Sequence, residues 1–193
     1  QFVRGFLETG LIEQAAPVRA IKILEPVEVF ENGASAILEP ASGLEIEFAI
    51  DFPDAAIGQQ SKALNLANGS FVHELCDSRT FCSKDDVVAM RSNGLALGGT
   101  LLNAVVVEGA DVLSPGGMRH HDEPVRHKML DAVGDLALAG GPILGRYIGN
   151  RAGHTITNML LRRLFSQPDS FQMVNCSQQT AKRLPGASVP LEI

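Results

Sequence analysis

The chain has 193 residues, of which 45% are hydrophobic and 20% charged, and its formal net charge is −6. This composition is typical of a folded globular domain and excludes a disordered, collagen-like or low-complexity protein. The acidic balance disfavours a nucleic-acid-binding protein, which normally presents a basic face. Three cysteines are too few for a disulfide framework and fit a reducing compartment. The longest apolar run, Leu101 to Val107, is too short to cross a bilayer, so no transmembrane segment is expected.

The start of the chain has a helical pattern of apolar residues. These residues are Phe2, Val3, Phe6 and Leu7. They predict a short amphipathic helix over residues 1–14. Because the chain begins with glutamine and inside this pattern, we expect a piece cut from a longer protein. A processed N-terminus is the alternative.

An antiparallel meander is predicted for the region that follows. Its strand-like runs cover residues 27–30, 35–38, 45–50 and 61–65. Turn signals at Asn32-Gly33 and Ser42-Gly43 separate the first three runs. A short helix over residues 70–75 follows the Asn68-Gly69 turn.

Helices and strands alternate in the second half of the chain. The predicted elements are a helix over 84–91, a strand over 103–107, a helix over 123–139, a strand over 143–148 and a helix over 153–165. Ser83 suits the cap of the first of these helices, and Pro124 suits the first turn of the second. The tail after Gln167 is expected to be mostly irregular.

Three polar side chains share one face of the predicted helix over 123–139. His127, Asp131 and Asp135 are four residues apart, so they lie on successive turns. An imidazole and a carboxylate one turn apart could both bind one zinc ion. A solvated or salt-bridged helix face is the alternative interpretation.

Two further positions could take part in chemistry. His154 opens the last helix, where an exposed or capping histidine is the alternative. Thr80, in the segment Ser78-Arg79-Thr80-Phe81, could donate a hydrogen bond to a developing oxyanion, with ordinary strand packing as the alternative. The remaining histidines show no partner pattern and are expected at the surface: His73, His120 and His121.

Four motifs occur in the order in which one known family has them. They are SRTF at 78–81, GLALGG at 94–99, VRHKMLDAVGDL at 125–136 and GHTITN at 153–158. Together they resemble the bacterial zinc deacetylases that act on UDP-3-O-acyl-N-acetylglucosamine in the committed step of lipid A synthesis. The resemblance covers roughly residues 1–165, and the block from His127 to Asp135 is its most specific part.

The resemblance implies an α+β fold, a two-layer sandwich of helices on a small, mainly antiparallel sheet. This domain would be the second of the family's two similar domains. Residues 1–17 would then be the last helix of the first domain with its linker, 18–166 the second domain, and 167–193 a C-terminal tail. An insert at about 82–107 would hold the acyl chain. The resemblance further implies a cytoplasmic monomer, with peripheral contact at the inner membrane left open.

The resemblance also implies roles for the candidate residues. By motif match, His127 and Asp131 would be ligands of Zn²⁺. His154 would be the general acid or an electrostatic stabiliser, Asp135 would orient it, and Thr80 would support the oxyanion. The residues expected at the UDP-linked, acylated substrate are Lys128, Phe81 at the sugar and Arg151 at the diphosphate.

The sequence also departs from the family's pattern. The third zinc ligand and the glutamate base of the family lie in a His-Thr-x-Glu-His motif of the first domain, which this sequence lacks. We therefore expect the chain to be inactive without that domain as its partner. Cys82, Leu102 and Pro124 replace a usual glycine, acidic residue and aromatic residue. The alternatives are a non-catalytic module that binds acylated nucleotide sugars and a purely structural domain.

Overall fold

The computed structural model describes residues 2–10, 12, 14–67 and 69–185. Its helices are α1 (Phe2–Thr9), α2 (Lys84–Ser92), α3 (Glu123–Leu136), α4 (His154–Phe165) and α5 (Gln178–Ala181). Its strands are β1 (Arg19–Ile23), β2 (Val27–Glu31), β3 (Ala34–Pro40), β4 (Leu44–Asp51), β5 (Gln59–Asn65), β6 (Thr80–Ser83), β7 (Ala104–Glu108), β8 (Asp111–Val112), β9 (Ile143–Asn150) and β10 (Phe171–Asn175). Parts of three predictions lie outside the described residues: positions 1, 11 and 13 of the first helix, Asn68 of a turn, and 186–193 of the tail.

Strand β9 is the centre of a seven-stranded mixed sheet. It pairs antiparallel with β3 and parallel with β1 and β4. Antiparallel partners extend the sheet on each side, since β10 pairs with β1, β2 with β3 and β5 with β4. A separate three-stranded sheet consists of β6, β7 and β8, with β6 parallel to β7. The expected α+β class, with helices on a mainly antiparallel sheet, is confirmed.

Helices α3 and α4 cover the large sheet with their apolar faces. The buried residues of these faces are Val125, Met129, Ala132 and Leu136 on α3, and Ile156, Leu160, Leu161 and Leu164 on α4. This spacing of three and four residues is that of an amphipathic helix. A hydrogen bond of 2.9 Å joins the buried hydroxyl groups of Tyr147 on β9 and Thr157 on α4. Burial raises the pKa of Tyr147 to about 12, so the tyrosine hydroxyl in this hydrogen bond stays uncharged.

Most local predictions are confirmed, including the cap of α2. The side chain of Ser83 accepts a hydrogen bond from the backbone N–H of Asp86, and the Asp86 carboxylate accepts one from the backbone N–H of Ser83. The first helix is shorter than predicted because it ends at Thr9, before Gly10 with its φ of 90°. No helix among the described residues is long and apolar enough to span a membrane.

Two predictions of longer-range structure are wrong. The strands do not form a simple meander, because β9 lies between β3 and β4 and pairs with both. The described part of the tail, up to residue 185, is not mostly irregular either. Strand β10 pairs with β1 from Phe171 to Asn175, and Leu184 after α5 is buried against Ala20 and Leu144. The division of the chain into a remnant helix, a second domain and a tail stays a prediction.

Close packing around β9 gives a testable result. A Cβ atom at Gly149 would lie 2.7 Å from Phe48 and 2.9 Å from Tyr147, two of the largest fully buried side chains. We expect Gly149→Ala to lower the free energy of unfolding by about 1–3 kcal/mol through overpacking, as measured by urea denaturation. In the control Gly134→Ala, on α3, the new Cβ atom meets nothing within 4 Å. This control should raise stability by up to about 1 kcal/mol through helix propensity. Equal effects of the two substitutions would contradict the packing argument.

Candidate functional site

Helix α3 brings His127 and Asp131 together on one face. The Nε2 atom of His127 lies 3.4 Å from a carboxylate oxygen of Asp131, and both side chains are about four-fifths buried. The other oxygen of Asp131 accepts a hydrogen bond of 2.8 Å from Lys128 Nζ. The Asp131 carboxylate therefore lies between an imidazole and an ammonium group, and Lys128 contacts a predicted metal ligand directly.

The ring of His127 is held on two further sides. Its Nδ1 atom lies 3.4 Å from the backbone carbonyl oxygen of Ser78, and the ring of Phe81 packs edge-on against it at 6.1 Å between centroids. Burial lowers the pKa of His127 below its ordinary value, despite the opposing effect of Asp131. The neutral imidazole is thus favoured, and this is the form that binds metal ions.

A second histidine–carboxylate pair joins the end of α3 to the start of α4. The Nδ1 atom of His154 lies 2.9 and 3.0 Å from the two carboxylate oxygens of Asp135. The Asp135 side chain is mostly buried, whereas that of His154 is 69% exposed. With Nδ1 turned to the carboxylate, Nε2 is the ring nitrogen left for another molecule. The predicted partnership of Asp135 and His154 is thus present as a contact.

Strand β6 places Thr80 and Phe81 in the wall of a large cavity. The cavity has a volume of about 930 Å³ and lies between this strand, α2 and the loops before β5 and β7. Its apolar walls include Phe52, Ile57, Val88, Leu101 and Val106, and Cys82 also lines it. Burial raises the pKa of the Cys82 thiol. The predicted insert thus lines an apolar space next to the His127 ring.

Arg151 lies three residues before His154, at a polar cavity. Its guanidinium group forms an ion pair of 2.9 Å with Asp51. The cavity has a volume of about 410 Å³, and its other polar lining residues are Gln59, Gln60, Ser61 and Asn150. Arg151 has a φ of 52°, an uncommon conformation for a residue other than glycine. The arginine expected to contact a diphosphate is therefore paired with a carboxylate in this structure.

The donor atoms suit part of a zinc site. His127 offers an imidazole nitrogen and Asp131 a carboxylate oxygen, both of which zinc accepts. Within the described ranges, no group of three or more His, Cys, Asp or Glu side chains is placed to hold a metal ion. The pair therefore fits as two ligands of a larger set.

Sequence reasoning missed a buried ion pair next to the site. Glu123 is fully buried and accepts two hydrogen bonds of 2.9 Å from the Arg79 guanidinium group. Although burial alone would raise the pKa of Glu123, the hydrogen bonds from Arg79 and Arg119 lower it. The two residues are 44 positions apart, so no local pattern connects them.

Two partly buried clusters were also missed. Lys62, Glu74, Asp122 and Arg126 form a network that joins β5, the π-helical turn at Phe71–Leu75 and the start of α3. The i, i+4 spacing of Asp122 and Arg126 was the available signal. His120 was expected to lack a partner, but its Nε2 atom lies 3.1 Å from Asp77.

The chain is similar to a set of bacterial proteins that share one name. A family model described as UDP-3-O-acyl N-acetylglycosamine deacetylase matches residues 1–166. A protein of Phenylobacterium zucineum named UDP-3-O-acyl-N-acetylglucosamine deacetylase is 44% identical over 181 residues, which are 94% of this chain and 62% of that protein. A protein of the same name from Shewanella sp. (strain W3-18-1) is 41% identical over 92% of this chain and 59% of its own length. Another, from Psychrobacter arcticus, is 43% identical over 90% of this chain and 55% of its own length. The chain thus spans about three fifths of the length of the curated relatives it matches.

The ion-pair network at the start of α3 predicts a dependence of stability on pH. Burial alone would raise the pKa of Asp122, but hydrogen bonds from Arg126 and Lys62 lower it from 3.8 to about 2. Because the folded-state pKa is the lower one, this stabilisation is complete above about pH 4 and is lost as the pH falls towards 2.

We expect the wild type to lose about 2 kcal/mol more unfolding free energy than Asp122→Asn between about pH 4 and pH 2, because one pKa unit corresponds to about 1.4 kcal/mol. Urea denaturation at a series of pH values measures this difference. Parallel pH profiles for the two proteins would show that Asp122 is not held ionised by its neighbours.

Proposed function

The chain belongs to the UDP-3-O-acyl N-acetylglycosamine deacetylase family, and on that premise we propose that it carries one side of the active site of a hydrolase. The substrate would be UDP-3-O-acyl-N-acetylglucosamine, and the products acetate and the free 2-amino sugar of lipid A synthesis. The observation that carries the proposal is the succession of two histidine–carboxylate contacts along α3, His127 with Asp131 and His154 with Asp135.

His127 and Asp131 are the proposed zinc ligands of this chain. Their donor atoms lie one helical turn apart, and burial favours the neutral form of His127. Zinc, when bound, would act as a Lewis acid on the acetamide carbonyl and lower the pKa of water. Asp131 also keeps Lys128 beside the zinc position, where its ammonium group could contact the substrate.

His154 is proposed to act at the leaving amine. Asp135 accepts a hydrogen bond from Nδ1 of His154, so the proton that His154 can transfer is the one on Nε2. The Asp135 carboxylate also holds the imidazole ring in one orientation, as a carboxylate does in other histidine-based sites. Because His154 is largely exposed, Nε2 can reach a substrate that lies along α3. An imidazolium at this position would also stabilise negative charge on the reacting carbonyl.

The remaining predicted residues would bind the substrate around this centre. Thr80 would donate its hydroxyl hydrogen to the developing oxyanion, and Phe81 would pack against the sugar beside the His127 ring. The apolar cavity of about 930 Å³ would hold the acyl chain. Arg151 would release Asp51 or share its charge when it binds the diphosphate, since guanidinium groups pair well with phosphate oxygens.

Two components of the reaction are expected from outside this sequence. The family's His-Thr-x-Glu-His motif, with a third zinc ligand and the glutamate base, does not occur among the 193 residues. We therefore propose that this chain does not turn over substrate by itself. A non-catalytic module that binds acylated nucleotide sugars is the second candidate, favoured by the large apolar cavity beside a pair of metal donors to which the described residues add no third. The monomeric state and the cytoplasmic location stay predictions.

A chimaeric protein tests the proposed activity. The segment of the Phenylobacterium zucineum relative that this chain does not span would be fused to the chain, and acetate release from UDP-3-O-acyl-N-acetylglucosamine would be measured. We expect turnover by the chimaera and none by the chain alone. His127→Ala should abolish turnover, and His154→Ala should lower kcat by about 10²–10⁴-fold, the usual contribution of a general acid.

Arg146→Ala provides a matched control, because its exposed ion pair with Glu47 joins β9 to β4 and neither residue belongs to the proposed site. This variant should keep the rate of the chimaera. Substrate binding without turnover in a well-folded chimaera would favour the non-catalytic module, and full activity of His127→Ala would remove the assignment of the zinc ligands.

A further inference from the structure

The buried pair of Arg79 and Glu123 is more heavily hydrogen-bonded than a simple ion pair. The Glu123 carboxylate accepts from Nε and Nη2 of Arg79, each at 2.9 Å, and from the backbone N–H of Arg79 at 2.9 Å. It also accepts from the backbone N–H of Arg119 at 2.7 Å. The second hydrogen bond of Arg79 Nη2 goes to the carbonyl oxygen of Gly117 at 2.7 Å. The pair thus fixes backbone atoms of two loops as well as two side chains.

This pair lies between the two parts of the proposed site. Arg79 directly precedes Thr80, the first residue of β6, and Glu123 is the first residue of α3, one helical turn before His127. The residue before Arg79 is Ser78, whose carbonyl oxygen faces Nδ1 of His127 at 3.4 Å. The segment Ser78–Thr80 is therefore attached to α3 at two successive turns.

The Ser78 carbonyl bears on the tautomer of His127. A carbonyl oxygen can only accept a hydrogen bond, so this contact requires the proton on Nδ1 and leaves the lone pair of Nε2 free. The competing tautomer would donate from Nε2 to Asp131, 3.4 Å away, and Nε2 could then not bind zinc. The position of the Ser78 carbonyl therefore decides between the two tautomers of His127. Arg79 fixes that position because it is the next residue and is bound to Glu123.

We infer that Arg79 and Glu123 are positioning residues of the reaction: they hold the Ser78 carbonyl on Nδ1 of His127 and so keep Nε2 available as a metal ligand. The inference rests on the proposed function. A buried ion pair adds little net stability compared with apolar residues of the same volume, whereas removing one partner leaves an uncompensated charge. In this protein the Arg79–Glu123 pair instead fixes the distance between β6 and α3.

Nitrogen-15 NMR of histidine-labelled protein tests the inference without any need for turnover. In the metal-free full chain, well above the ordinary pKa of histidine, the ring nitrogens of His127 report the fraction of the Nδ1–H tautomer. We expect this fraction to fall in Glu123→Gln and in Arg79→Lys. The lysine variant keeps the charge but loses the two-pronged contact, so it preserves the fold better. Zinc affinity of the same variants should fall by about 10–100-fold, as for other residues that orient a metal ligand.

Asp122→Asn is the matched control. It removes a carboxylate with two cationic partners at the same end of α3, but one that does not contact Arg79 or Ser78. This variant should lose stability and keep the tautomer fraction and zinc affinity of the wild type. Unchanged tautomer fractions in folded Arg79→Lys and Glu123→Gln would overturn the inference. Failure of the wild-type chimaera to bind zinc would instead refute the proposed function, while the tautomer comparison in this chain would still decide the inference.

Discussion

The site depends on the way in which the start of β6 is attached to the start of α3. A buried carboxylate is costly unless each of its acceptor positions is filled, and Glu123 meets this condition with four donors from two loops. These bonds fix the distance between the strand that carries Thr80 and the helix that carries His127. The three-stranded sheet and the helices on the large sheet thereby contribute to one surface.

Helix α3 serves the core and the site with different faces. Its apolar face packs on the large sheet, while His127, Asp131 and Asp135 follow one another along another face. Strand β9 supports the second helix of the layer, because the Tyr147 hydroxyl holds Thr157 in the first turns of α4. His154 opens that helix and meets Asp135. The two histidines and two aspartates of the site thus stand on helices that pack against the core, and such support holds side chains in a precise geometry.

The sequence predicted the parts of this arrangement that depend on neighbouring residues. The period of α3, the cap at Ser83 and the shared face of His127 and Asp131 are all local patterns. The parallel pairing of β4 with β9, just over 100 residues away, leaves no such pattern. The pairing of β10 with β1, about 150 residues before it, leaves no local pattern either. The Arg79–Glu123 pair was missed for the same reason, since each residue alone resembles an ordinary surface charge. The roles of the site residues came from family resemblance.

The central proposal is that zinc binds to one face of α3, between His127 and Asp131. Anomalous diffraction at the zinc edge, from crystals of the chain grown with zinc, tests it most directly. The account predicts a peak about 2.0–2.2 Å from Nε2 of His127 and from a carboxylate oxygen of Asp131, with the Ser78 carbonyl still on Nδ1. A zinc ion bound by His154 and Asp135, with none at His127, would contradict the assignment of ligands and of the general acid together.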